Sequence, residues 1–138
     1  MSKKSKKQQV ILTSGKRKSA RATATLTKGS GKVTINKVPV NLVEPEMYAL
    51  RMREPLILAG SKTAKLDIHV TTEGGGIASQ ADATRLAIAK ALVEHDDKLE
   101  DTFLDYDRTL LVADVRRKEP KKPNRQGSAR SKRQKSYR

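Results

Sequence analysis

The chain has 138 residues, no cysteine, one Phe, three Tyr and a formal net charge of +15. That length suits one compact domain with appendages, and the missing cysteines exclude a disulfide framework and any thiolate metal site. The first apolar run, Val10–Leu12, is too short for a signal-peptide core or a membrane span, so a cytosolic protein, or one nuclear for part of its life, is expected.

Residues 1–8 read as a basic N-terminal extension, 9–115 as a globular domain and 116–138 as an extended basic tail. "QQVILTSG" predicts a short first strand, which "GKRKSA" (15–20) interrupts as an exposed basic loop. From Ala20, the residues Ala22, Ala24 and Leu26 alternate with Arg21, Thr23, Thr25 and Thr27, the period of a strand with one buried face. "KGSG" (28–31) carries turn chemistry and "KVTIN" follows, so an antiparallel hairpin is expected there. "VEPEMYALRMREPLILAG" (43–60) has helical character, broken by Pro45 and Pro55, with Pro55 starting a new turn or forcing a kink. "KLDIHVTTE" (65–73) alternates through Leu66, Ile68 and Val70 as the clearest strand, and "GGG" (74–76) stops it.

The strongest helix covers Ser79–Glu94. Ala78, Ala81, Leu86, Ile88, Ala89, Leu92 and Val93 fall within an arc of roughly 160°, a core-facing stripe rich in alanine. Asp82 and Arg85 interrupt the stripe at a spacing that lets them pair with each other. "DDKLEDTFLDYD" (96–107) predicts a shorter acidic amphipathic helix, and "TLLVADV" (109–115) ends the domain before Pro120 and Pro123. Strands first, then helix, strand and helix, argue for an α+β fold, a two-layer sandwich.

Charge is segregated along this layout. Residues 1–21 hold eight basic side chains and no acidic one, residues 22–115 hold eleven basic and fourteen acidic, and residues 116–138 hold eleven basic and one acidic. Cationic ends around a mildly acidic domain point to a polyanion, and nucleic acid suits them better than a membrane surface, since neither end offers an apolar face. Of the final fourteen residues only Ala129 and Tyr137 carry appreciable apolar surface. Such a segment cannot offset the entropy of ordering itself, so it needs a partner to order it.

Catalytic and metal readings find little support. "KGSGKVT" lacks the first Gly and the final Ser or Thr of a phosphate-binding P-loop, having Leu26 and Val33 there. Gly74, Gly75 and Gly76 before a helix permit positive φ and leave amides free for a phosphate. Small-molecule kinases of the galactokinase type use a comparable helix start, yet the chain lacks room for their second domain and shows no catalytic carboxylate or base. His69 and His95 stand without ligand spacing to another donor. No enzyme activity, cofactor, metal or small-molecule substrate is expected.

"GGGIASQADATRLAIAKAL" (74–92) is similar to the signature of the universal ribosomal protein family numbered nine in the small subunit. "GKRKSARA" (15–22), "GKVTIN" (31–36), "REPL" (53–56) and the closing "KSYR" resemble the same family in order and separation, while "YDRTLLVADVRR" (106–117) and "QKSYR" resemble its archaeal and eukaryotic branch. Gly74, Gly75, Gly76, Gln80 and Arg85 belong to the matched turn and helix. The resemblance implies a fold like the second domain of small-subunit ribosomal protein five, β-β-β-α-β-α with a left-handed crossover. It also implies residence in the head of the small subunit beside neighbouring ribosomal proteins, contact with ribosomal RNA, and a C-terminal tail reaching peptidyl-site tRNA.

Charge placement then nominates Lys16, Arg17, Lys18 and Arg21 in the basic loop, with Arg116, Arg117, Lys118, Lys121, Lys122, Arg125, Arg130, Lys132 and Arg133 in the tail, as contacts to ribosomal RNA. Lys135, Tyr137 and Arg138 at the tip are the expected tRNA contacts. The acidic segment 94–107 is expected to face away from RNA. A chromatin-like protein that binds duplex DNA through its tails is the competing reading.

Overall fold

The computed structural model describes residues 9–138; the basic extension 1–8 lies outside the described residues. The strands are β1 (Ile11–Arg17), β2 (Ala20–Lys28), β3 (Val33–Ile35), β4 (Val38–Pro39) and β5 (Leu66–Glu73). The helices are α1 (Glu46–Ala59), α2 (Ile77–His95) and α3 (Leu99–Tyr106), with short 3-10 turns at Val40–Leu42, Gly60–Lys65 and Arg108–Leu110. One sheet in the order β1-β2-β5-β3-β4 packs its apolar face on α2, an α+β sandwich of the expected class.

β1 and β2 pair antiparallel from Ile11 opposite Leu26 to Arg17 opposite Ala20. The expected loop over 15–20 is therefore mostly strand, and only Lys18 and Ser19 turn the chain. Lys18 sits at φ 53°, the left-handed region that a side chain occupies at a cost of about 1 kcal/mol. Gly15 is no strand breaker; it is where α2 lies on the sheet. A Cβ there would fall on the carbonyl of Ala83 and within 2.8 Å of the Ala87 amide nitrogen. Thr13, two residues earlier on the same face, donates its hydroxyl to the Ala87 carbonyl at 2.8 Å.

The expected β2–β3 hairpin does not form. β2 pairs antiparallel with β5 over eight residues, from Arg21 opposite Glu73 to Lys28 opposite Leu66, and β3 joins the far side of β5 in parallel. Three residues of β3 cannot match the nine of β2, whereas Leu66, Ile68 and Val70 continue its apolar row. The turn residues 29–32 wrap a carboxylate instead: Asp67 accepts the Ser30 amide at 2.7 Å and the Lys32 amide at 3.0 Å. Those two amides, Lys32 first, hold the Asp67 carboxyl below its ordinary value.

α1 begins just after Pro45 and runs unbroken through Pro55 to Ala59. Pro55 forgoes one backbone bond but is fully buried with Ala49 and Met52, and that burial offsets the loss. The buried surface of α2 is wider than the predicted stripe. Ala83, Thr84, Ala87 and Ala91 are buried beside Ala81, Leu86, Ile88, Ala89 and Leu92, because α2 has the sheet on one side and α1 and α3 on the other. Ala78, placed in the stripe by its angle, lies exposed in the first turn. α3, too short to stand alone, is held by Leu99 and Phe103, the latter fully buried.

Gly15→Ala is expected to push α2 off β1 and destabilise the domain by about 3 kcal/mol, the upper range for overpacking. Urea unfolding of the full chain measures this, and a loss under about 1 kcal/mol would contradict the close approach.

Candidate nucleic-acid interface

At one end of the sheet three segments distant in sequence meet. The Lys18-Ser19 turn projects there, and the glycine turn after β5 packs directly against it. Gly74 (φ 73°) lies so close that a Cβ would come within 2.7 Å of the Ser19 carbonyl, and Gly75 (φ 62°) abuts Ala20. Gln80 donates its side-chain amide to the Gly74 carbonyl at 3.0 Å, pinning the turn to the first turns of α2. Gly76 caps that helix in extended conformation.

The third segment is the root of the C-terminal tail. Leu110 is fully buried and closes the core, after which Val115 is 87% exposed and the chain forms no helix or strand to Arg138. Arg116, Arg117 and Lys118 then line an open groove whose opposite wall is Arg17, Lys18 and Ser19.

Carboxylates organise these cations. Asp114 accepts the backbone amide of Arg116 at 2.9 Å and grips its guanidinium through Nε (3.0 and 3.1 Å) and Nη2 (2.7 Å). Nη2 of Arg17 reaches the same carboxylate at 3.5 Å, while its Nε faces Asp82 at 3.7 Å. Asp82 pairs in turn with Arg51 at 3.1 Å. The result is an alternating chain, Arg51–Asp82–Arg17–Asp114–Arg116, across α1, α2, β1 and the tail root. The Arg116 fork, its backbone amide and then the Arg17 charge hold the Asp114 carboxyl far below the usual carboxylate range.

Asp82 and Arg85, expected to pair, point to different neighbours. Arg85 is in ion-pair contact with Glu54 on α1 and bonds Asp107 at 3.0 Å, binding α2 to α1 and to the segment after α3. Two elements approaching α2 from the same side supply better-placed acids than its own first turn. The backbone amide of Thr109, then the Thr109 hydroxyl and Arg85, lower the Asp107 carboxyl.

Of the loop cations nominated from sequence, Lys16 and Arg21 face each other on the open face of the sheet, exposed. Lys18 is exposed at the turn, and Arg17 is drawn inward with its side chain 15% exposed. The tail cations Arg117, Lys118, Lys121, Arg125, Lys132, Arg133, Lys135 and Arg138 are exposed, as is Tyr137. Lys122 and Arg130 both bond Glu119, the tail's lone acid, at 2.9 and 2.7 Å. Sequence reasoning missed Asp114 and Glu119. The Asp-x-Arg spacing at 114–116 was a visible local signal, whereas the approach of Arg17 was not. His69 bonds the Thr34 hydroxyl at 2.7 Å across the open face, and no group of three His, Asp or Glu side chains is placed to hold a metal among the described residues.

The chain is a small α+β protein that gathers cations at one end of its sheet and continues them along an exposed tail. Residues 15–138 match the family model for ribosomal protein S9/S16. The small ribosomal subunit protein uS9 of Methanococcus maripaludis is 52% identical over 132 residues, covering 94% of this chain and 98% of the relative. The protein of the same name from Methanococcus vannielii is 50% identical over the same coverage. The chain belongs to the ribosomal protein S9/S16 family. Its relatives are named as ribosomal proteins, not enzymes, and these are archaeal, in keeping with the branch its ending resembles.

Asp67, Asp96, Asp107 and Asp114 all bind their protons less readily in the folded chain than in the unfolded one. Their stabilisation is complete above the ordinary value of 3.8 and is lost as pH falls below it. Urea midpoints are therefore expected to drop steeply between about pH 4 and pH 2, and Asp107→Asn is expected to flatten that drop while lowering the midpoint at neutral pH.

Proposed function

We propose that the chain is a structural component of the small-subunit head, in the cytoplasm, that binds ribosomal RNA with its hairpin end and tail and touches peptidyl-site tRNA with its tip. The observation that carries this reading is the meeting of Lys18, from the start of the chain, with Arg116, Arg117 and Lys118, from its end, in one groove that opens onto an exposed cationic tail. The Methanococcus relatives are named as small ribosomal subunit proteins, which supports the assignment of the partner.

The tail's chemistry fits threading through folded RNA. Extended at ~3.3 Å per residue, residues 116–138 span roughly 75 Å. Each Lys or Arg that meets a phosphate releases condensed counterions, which offsets the ordering entropy of a segment with no core of its own. Arg forks grip phosphate through two donors, whereas Lys acts as a point charge. Gly127 and Ser128 keep the thread narrow. At the tip, Lys135 and Arg138 contact tRNA phosphates without reading bases, since every tRNA must be accommodated, and Tyr137 covers or stacks on the adjoining nucleotide. The exposed acids of α3, Glu100, Asp101 and Asp105, turn away from RNA toward solvent or a basic protein neighbour.

The tagged full-length chain is expected to sediment with the small subunit; comparable affinity for duplex DNA and no co-sedimentation would instead favour a chromatin-like protein. Deleting residues 135–138 is expected to leave assembly intact and weaken tRNA retention in the peptidyl site, measured by filter binding on purified particles. Subunits that fail to assemble would assign the tip a different role. Replacing Arg117 and Lys118 together by Ala is expected to lower the slope of log affinity against log salt by roughly 0.7–0.9 for each phosphate that is no longer neutralised.

A further inference from the structure

The groove between the hairpin turn and the tail root is lined by Arg17, Lys18, Ser19, Arg116, Arg117 and Lys118, and an acid lies behind its wall, in the adjoining cavity that shares Arg17 and Arg116. Asp114 is the carboxylate on which Arg17 from β1 and Arg116 from the tail converge. Beyond Val112, whose amide bonds the Arg108 carbonyl at 3.1 Å, this link ties the emerging tail back to the sheet. Val112, Ala113 and Val115 are all exposed, so apolar packing does not set the direction in which the chain leaves. Without the carboxylate, two guanidinium groups and the cations flanking them would repel one another across the groove.

We propose that Asp114 is the positioning residue of a single phosphodiester seat, holding the tail root against β1 so that Lys18, Arg117 and Lys118 face one stretch of nucleic-acid backbone together. The inference rests on the RNA-binding reading above and adds a division of labour. Arg116 is gripped by Asp114 through hydrogen bonds, and Arg17, lying 3.7 Å from Asp82 and 3.5 Å from Asp114, completes the fixed wall by charge. Lys18, Arg117 and Lys118 have no carboxylate partner among the described residues and supply the free charge. Preorganisation is the physical gain. With the tail root already held beside β1, Arg117 and Lys118 start next to Lys18 and the root forgoes an ordering penalty on association, which for one immobilised residue corresponds to roughly two- to tenfold in affinity.

This reading reverses the sign that charge alone predicts. Asp114→Asn makes the chain more cationic, so an interface governed by net charge would bind RNA more tightly. A positioning carboxylate predicts weaker binding. The test titrates the full-length chain against deproteinised small-subunit ribosomal RNA over a salt series, with Asp101→Asn on α3 as the variant matched in charge but remote from the groove. Asp114→Asn is expected to bind about fivefold more weakly than the unmodified chain, the penalty of ordering the released tail root on association. Asp114→Glu should recover most of that loss, and Asp101→Asn should bind at least as well as the unmodified chain.

Asp114→Asn binding as tightly as Asp101→Asn would overturn the proposal while leaving the RNA-binding reading intact. An unmodified chain with no preference for ribosomal RNA over duplex DNA would overturn that reading instead. Should Asp114→Asn lower the thermal midpoint, Arg116→Lys decides, because it keeps the charge and removes the fork: a similar loss of affinity supports the seat, and unchanged affinity sinks it.

Discussion

The structure depends on how closely α2 lies on the β1–β2 hairpin. Gly15 on β1 meets Ala83 and Ala87 on the helix, so backbone approaches backbone there, and Ala20, Ala22 and Ala24 on β2 are buried with little side chain of their own. That proximity lets Thr13 donate to a helix carbonyl and sets where the hairpin ends. The Lys18-Ser19 turn thereby comes to rest on the glycine turn that starts α2. A bulkier interface would lift the helix away and open the end of the sheet where the tail departs.

Charge is managed by the same economy. Acids inside the domain are committed to neighbours: Asp82 and Asp114 to arginines, Asp67 to backbone amides, Asp107 to Arg85 and the Thr109 amide. These carboxylates serve as joints between elements. Lys18 at the hairpin turn and Arg117, Lys118 and Lys121 in the tail stay exposed and outside this set of ion pairs. The tail segment has no core of its own, and the folded domain sets the point from which it starts.

Much of this was readable without coordinates. The alternation in β2 and β5 and the alanine-rich stripe of α2 announce themselves, since burial on one face imposes a period on any strand or helix. The glycine turn and the basic ending are equally local. What pattern could not provide was pairing. Nothing in "KGSGKVTIN" reveals that its turn residues close on Asp67, or that β5 occupies the place beside β2 that a hairpin would have taken. The supposed Asp82–Arg85 pair failed for the same reason. Spacing on one helix says which residues are able to meet, and elements arriving from elsewhere decide which do.

The sequence by itself determined the fold class and the segregation of positive charge to the two ends, because composition and short-range periodicity carry that information directly, and its short motifs carried the resemblance to the family. Tertiary structure alone decided that the two cationic segments form one groove, and that Asp114 holds Arg17 and Arg116 together at its edge. Residues nearly a hundred positions apart meet only after the sheet is ordered and α2 is seated. Their meeting is a property of long-range packing, which no local pattern encodes.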